Sequence, residues 1–342
     1  MRIEAASPTI RRKEMDAVLT AMVEEKIGPG ERNRLLIQTA KEHIKFDYAL
    51  ALRSPAVALY LALKALNIQN GQGSKSAVVI SALSPRYYLQ VLEDLQLTPL
   101  FCDVTYDYPC ISREGIDIVL AKKPPELEII AIVLHHTLGF VPDVLPITEL
   151  GIPVIEDVSL SYKSPFVCHG MFCILGMEER DMLTSGGGAL LFAMNRKDGM
   201  LLRNYNSIAD EYCMPDINAA LAVIQFKEIQ KNLERRKDIA NVYHQSSLRT
   251  RHKRFILRSE EDVNYYSFSL VLEAGLKDVI AYAKKKDIIL ENAFERTIAG
   301  MGPCENCPVS NSLALRTVLF PMYPRLSSKD VDSVSRLIMT LP

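Results

Sequence analysis

Ala77-Val78-Val79-Ile80, a helical run through Leu92, and then Pro99-Leu100-Phe101-Cys102 make a strand–helix–strand unit. Apolar runs this short, separated by a helix, read as strands of a parallel sheet covered on both faces. The pattern extends outward in both directions. Upstream, Tyr48-Ala49-Leu50-Ala51-Leu52 reads as a short buried strand, and Ala56 to Leu66 is apolar on nearly every side, as in a buried helix. Downstream, Ile129 to Leu134 and Pro153-Val154-Ile155 continue the series. The fold class is therefore α/β, a mostly parallel sheet sandwiched by helices. Two further helices precede it: Arg11 to Val23, stopped near Gly28-Pro29-Gly30, and Arg32 to His43.

Beyond this series the pattern changes. Ile217 to Asn232 is a long helical stretch that Leu233 to Tyr243 continues with Glu234, Arg235, Arg236 and Lys237. A strand at Tyr265 to Leu272 and a helix at Leu276 to Lys285 then form a smaller α+β unit. The expected organisation is a large α/β domain over residues 1–240, with 1–30 as an N-terminal arm, and a small C-terminal α+β domain over 241–342.

Composition narrows the class. The chain has 342 residues, 48% of them hydrophobic, and 40 Lys+Arg against 41 Asp+Glu. A net charge of -1 leaves no polyanion footprint, so nucleic acid is not an expected partner. No apolar run reaches the roughly 20 residues of a membrane helix, and the first residues lack the apolar core of a secretory signal. Seven cysteines without framework spacing fit a reducing cytoplasm, which is the expected location.

Ligands of open α/β sheets sit at the carboxyl ends of the strands. Three loops qualify: Ser54 onward, Ser81 to Tyr88, and Glu156 onward. The helix starting after Ser54 is the natural seat for an anionic group, because its free N–H groups point outward.

Read in order, these loops and their flanks resemble the DegT/DnrJ/StrS-type family of sugar aminotransferases, pyridoxal-phosphate (PLP) dependent transferases of fold type I. The resemblance runs through Ser7-Pro8-Thr9-Ile10, Ile27-Gly28-Pro29-Gly30-Glu31, Ser54 to Leu66 and Pro99 to Val104. It continues through His136-Thr137-Leu138-Gly139, Val154 to Ser161 and Gly186-Gly187-Gly188-Ala189. Met214 to Leu221, with Gln225-Phe226 and Arg235-Arg236, is its most specific stretch, and Cys307-Pro308 and Phe320 to Leu326 match the family ending. The resemblance implies a PLP pocket, a homodimer and a nucleotide-sugar substrate.

Several positions of that implied pocket depart from the family. Asp157 stands where a buried carboxylate keeps the cofactor's ring nitrogen protonated; its bland alternative is a cap for the next turn. At the phosphate seat the family has Ser-Gly-Thr, whereas this chain has Ser54-Pro55-Ala56, losing one N–H and one hydroxyl. Pro85 takes the place of the stacking aromatic ring, with Tyr87 and Tyr88 nearby; both are expected to be packing residues, the alternative being that either supplies the ring if the loop shifts. Leu160 replaces the polar residue that faces the ring hydroxyl. The lysine that forms the Schiff base lies a few residues before the glycine pair in the family. Here Arg180, or Asp181 with a one-residue gap, occupies that position, and no lysine falls between Lys163 and Lys197. Neither side chain forms an aldimine. Lys163, six residues after Asp157, is a poor substitute.

Other clusters read as structure. Cys304-Glu305-Asn306-Cys307 has a metal-like spacing but no second ligand pair, so no metal is expected. His135-His136 follows a buried strand and is expected to be packed and hydrogen-bonded. Arg251-His252-Lys253-Arg254 is expected to be a solvated loop, with an anion contact as the alternative.

The expectation is an aminotransferase-like protein without the Schiff-base lysine and without retained PLP. It would bind a nucleotide-sugar or related ligand, or serve as a partner in surface-polysaccharide biosynthesis. Two rivals stay open: an active enzyme, PLP-dependent or using the remodelled pocket without PLP, and a structural partner of an active paralogue.

Overall fold

The computed structural model describes residues 2–69, 75–162, 168–257, 265–273 and 275–342. The chain opens with helices α1 (Arg12–Val23) and α2 (Glu31–His43), then strand β1 (Tyr48–Leu52) and helix α3 (Pro55–Gln69). Next come β2 (Lys75–Ser81), α4 (Tyr87–Asp94), β3 (Thr98–Cys102) and α5 (Arg113–Lys122). They are followed by β4 (Leu127–His135), α6 (Val144–Thr148), β5 (Val154–Asp157), β6 (Phe172–Gly176) and β7 (Ala189–Ala193). Helices α7 (Arg196–Arg203) and α8 (Asp216–Ser247) lead to β8 (Phe268–Val271), α9 (Leu276–Lys284) and β9 (Glu291–Asn292). The chain ends with α10 (Ile298–Met301), α11 (Pro308–Arg316), β10 (Thr317–Phe320) and α12 (Ser328–Met339).

The first seven strands form one sheet in the order β1-β7-β6-β5-β4-β2-β3. Strands β3, β2, β4, β5 and β6 run parallel, and β7 runs antiparallel to both β6 and β1. The mostly parallel sheet inferred from the apolar runs is present. Strands β4, β5, β6 and β7 are almost wholly buried, as a sheet with helices on both faces requires. On one face, Leu59, Leu63 and Ala62 of α3 pack with Ile155, Ile174 and Leu191. On the other, Leu36 of α2 and Phe226 of α8 pack with Leu175, Leu190 and Phe192.

The second sheet has three antiparallel strands, β8-β10-β9, packed with α9 and α12 around Leu270, Val318 and Leu337. Helix α8 runs unbroken through residue 240 and carries the chain toward this sheet. Arg235 donates to the Leu326 carbonyl at 2.8 Å, while Gln225 donates to the Thr9 carbonyl of the N-terminal arm at 2.9 Å. The residues flanking the most specific sequence stretch therefore fasten the arm and the second sheet to one helix.

Asp216, inside that stretch, caps a different helix. Its carboxylate accepts the N–H groups of Arg32 at 3.1 Å and Asn33 at 3.2 Å, two free donors of the first turn of α2. A side chain at Gly30 would place its Cβ 2.9 Å from Asp216 Oδ2, which accounts for the glycine before this cap. Asp216→Ala is expected to lower the unfolding free energy by about 1–2 kcal/mol, read as an earlier midpoint in urea. An unchanged midpoint would show that water serves those two donors equally well.

Candidate functional site

Asp157 ends β5, at the carboxyl edge of the sheet, and is 1% exposed. Its Oδ1 accepts both the hydroxyl and the N–H of Ser159. Its Oδ2 accepts the hydroxyls of Tyr88 at 2.8 Å and Tyr87 at 3.2 Å. His135 Nδ1 lies 3.6 Å from the same oxygen, beyond hydrogen-bond length but within electrostatic reach. Burial opposes ionisation of this carboxyl, yet the polar contacts of His135, Ser159 and Tyr88 outweigh it and hold the group well below the usual carboxylate range. Asp157 is thus an anion whose two oxygens already carry four hydrogen bonds.

Tyr87 and Tyr88 sit at the first turn of α4, and their rings meet edge to face with centroids 5.0 Å apart. The sequence assigns them to packing; the fold makes them the partners of Asp157, because α4 starts just beyond β2, two strands from β5, at the same carboxyl edge of the sheet. Pro85 takes no part in this cluster. It forms an isolated bridge with Thr297, and its carbonyl accepts the Tyr88 N–H.

At the start of α3, Ser54 Oγ accepts the Val57 N–H at 3.3 Å, so the serine caps its own helix. Pro55 is buried at the first helical position, and Ala56 is half-buried beside it. The ring of Pro55 reaches Gly176 at the end of β6. A Cβ on Gly176 would fall 2.9 Å from Pro55 Cγ, 2.7 Å from Ser159 Oγ and 2.5 Å from Asp181 Oδ2. Three of the expected positions, Ser54-Pro55, Asp157 with its neighbour Ser159, and Asp181, thus converge around one glycine. Leu160, half-buried in the turn after Ser159, presents an aliphatic side chain.

The two candidates for the lysine position point in different directions. Arg180 turns toward the second sheet, where its guanidinium forms a two-pronged ion pair with Glu291 of β9. Asp181 turns inward, and its Oδ2 accepts the Glu178 N–H at 2.8 Å. Protein surrounds the Asp181 carboxyl, although it keeps an accessible face toward an adjoining cavity. Burial and, beyond it, the charges of Asp157 and Glu178 push this carboxyl up to about 8, against the Glu178 N–H that favours its ionised form. At neutral pH the pocket therefore contains an ionised Asp157 and a protonated Asp181, two carboxyls whose environments drive them apart. The loop that carries Arg180 and Asp181 closes through Gly186, Gly187 and Gly188, with φ of +71°, +137° and +124°. Those values explain the glycine run, since other residues rarely adopt them.

The cavity has a volume of about 100 Å³ and lies between the arm residues Ala5–Thr9, the 179–184 loop and the edge of the second sheet. A larger groove of about 980 Å³ runs along edge strand β3 and the 301–306 loop. It shares no lining residue with the smaller cavity, which borders the Asp157 cluster through Asp181.

The remaining sequence candidates are accounted for. His136 Nδ1 meets Ser161 Oγ at 2.5 Å and its Nε2 lies 3.3 Å from Glu156 Oε2, all three residues fully buried. Cys307 is the residue before α11, and burial pushes its thiol up to about 12. The basic run is solvated only in part: Arg251 and Lys253 are exposed, but the segment is not a free loop. Lys253 pairs by its backbone with Val271 and His252 is buried, because the segment extends the second sheet's edge. Lys163 lies outside the described residues.

Comparison with known proteins gives these features a context. The model of the DegT/DnrJ/EryC1/StrS aminotransferase family matches residues 8–165 and 191–339. The unmatched interval between them contains the loop of Arg180 and Asp181. Among solved structures, the aminotransferase TlmJ from Streptoalloteichus hindustanus is 19% identical, with a TM-score of 0.85 over 98% of each chain. The PLP form of the sugar aminotransferase Spr1654 from Streptococcus pneumoniae is 17% identical, with a TM-score of 0.85 over 99% of this chain and 98% of that one. PseC from Helicobacter pylori, an aminotransferase of pseudoaminic acid biosynthesis, is 13% identical with a TM-score of 0.86 over the same shares. At these identities the likeness establishes the fold.

Proposed function

The chain belongs to the DegT/DnrJ/EryC1/StrS aminotransferase family, and from that premise we propose that it is a sugar-aminotransferase-like protein that does not transaminate. The observation that carries this reading is the inward-facing residue of the 177–185 loop. It is Asp181, a carboxyl beside Ser159 and Pro55, where the family chemistry calls for a primary amine. Among the described residues no lysine hydrogen-bonds or pairs with Asp157, Ser159 or Asp181.

The residues present do not fit PLP. A pyridinium N–H needs a free carboxylate oxygen, and Asp157 Oδ2 already accepts two tyrosine hydroxyls. A phosphate needs open donors at the start of α3, and there the Val57 N–H is already spent on Ser54 Oγ while Pro55 has no N–H and Ala56 no hydroxyl. The retained role is ligand binding or subunit pairing in nucleotide-sugar metabolism of surface-polysaccharide type, in the cytoplasm. The free cysteines support the reducing compartment; no helix among the described residues is long and apolar enough to cross a membrane. Met15, Leu19, Met22 and Val23 expose an apolar side of α1, which supports a contact with a second copy or a paralogous subunit.

The test is the visible spectrum of the purified protein incubated with PLP, followed by borohydride reduction and peptide mapping. We expect no aldimine band and no reduced adduct. A borohydride-stable label on a single lysine, Lys163 first of all, would restore the enzyme and overturn the proposal.

A further inference from the structure

We infer that the cavity beneath the N-terminal arm is a binding site for one compact oxyanion, of carboxylate, sulfate or phosphate size, held by Arg236. The inference rests on the reading of this cleft as a retained ligand site and names what that site takes.

Arg236 projects from α8, is 7% exposed and lines the cavity together with Tyr266 and Met322, whose carbonyls its guanidinium reaches. Its Nε donates to Asn232 Oδ1 at 2.8 Å, and its Nη1 donates to the carbonyls of Tyr266 at 2.7 Å and Met322 at 2.8 Å. All three acceptors are neutral. Among the described residues, no carboxylate lies within ion-pair distance of it. A cation removed from water without a counter-charge is costly, and an anion in the adjoining space relieves that cost. Burial accordingly pulls the Arg236 guanidinium down to about 10, still far above neutrality, so it remains charged.

The other charges around the cavity do not supply the missing anion. Arg180 and Glu291 neutralise each other. Glu179 is exposed at the rim. Glu14 stands behind Gln225, whose amide donates to it at 3.2 Å. Asp181 is protonated at neutral pH. The groups facing Asp181 are Asp157 of β5, Tyr87 of α4, Glu178 of its own loop, and Tyr266 ahead of β8. The cavity thus has a buried cation with no carboxylate partner, and the hydroxyl residues Ser7, Thr9 and Thr184 on its walls. Its volume of about 100 Å³ suits a tetrahedral or planar oxyanion.

Ionisation of Asp181 places a second negative charge in the same space, so oxyanion affinity must fall as pH rises through about 8. Inorganic sulfate is the probe, because its charge is constant across this range. Calorimetric titration at ionic strength fixed with sodium chloride is expected to give saturable one-site binding at pH 7. Affinity should then weaken about threefold to tenfold by pH 9. Arg236→Gln should abolish the binding at pH 7. Because that change also removes fold-bridging hydrogen bonds, Asp181→Asn provides the independent check: it should bind sulfate equally at pH 7 and pH 9. The inference is overturned if the wild-type protein prefers sulfate no more than chloride, or if the loss at pH 9 persists in Asp181→Asn. Neither result touches the borohydride test, which can fail or succeed by itself.

Discussion

Asp181→Asn is expected to stabilise the protein at pH 7 by on the order of 3 kcal/mol. The folded state holds this carboxyl at about 8, while an unfolded aspartate ionises near 3.9. Between these values the folded protein binds more protons than the unfolded chain. Stability therefore falls as pH rises from about 4 to about 8, by up to roughly 1.4 kcal/mol per pH unit. Summed to pH 7 the cost is on the order of 4 kcal/mol, and the accessible face of Asp181 toward the cavity lowers it somewhat. The amide keeps an oxygen for the Glu178 N–H and does not titrate. Urea unfolding at pH 5, 7 and 9 reads the effect. Wild type should lose stability across the series, and Asp181→Asn should lose much less. A variant no more stable than wild type at pH 7 would mean that Asp181 is already ionised there, and the charge balance argued for the cavity would fall with it.

The opposite sign is expected at Asp157. Removing its carboxylate by Asp157→Ala leaves the hydroxyls of Tyr87, Tyr88 and Ser159 and the Ser159 N–H without their acceptor. Stranding a hydrogen-bonded group of this kind costs about 3–5 kcal/mol, a large part of the stability of an ordinary domain. Because the folded carboxyl lies below its unfolded value, its contribution is present above pH 4 and lost as pH falls further. Asp157→Asn, which keeps one acceptor oxygen, should lose less. Denaturant titration at pH 7 distinguishes these outcomes, and a loss under about 1 kcal/mol for the alanine variant would show that the tyrosine hydroxyls find water instead.

Much of this architecture is legible in the chain itself because short apolar runs between helices permit few arrangements. The run Ile129 to Leu134 falls within β4, and Tyr48 to Leu52 is β1. Strands β6 and β7 are harder to read, since Phe172–Gly176 and Ala189–Ala193 flank a glycine-rich loop and no helix separates them. Their antiparallel pairing follows from that direct connection. The position of Asp157 is legible from the family resemblance, and it falls at the carboxyl end of a strand, where open sheets hold ligands.

What the sequence by itself determined, then, is the α/β sheet, the family resemblance and the lack of a lysine between residues 163 and 197, because apolar periodicity and residue identity are local properties. Only the tertiary structure decided which residues complete the pocket. Tyr87 and Tyr88 reach Asp157 across about 70 positions of chain because parallel strands align their carboxyl ends. Arg180 and Asp181 are neighbours in sequence, yet one pairs with Glu291 on the second sheet while the other turns inward. Local patterning assigns no direction to either. The choice between them belongs to the loop closed by the three glycines, and to the different surroundings it gives two adjacent side chains.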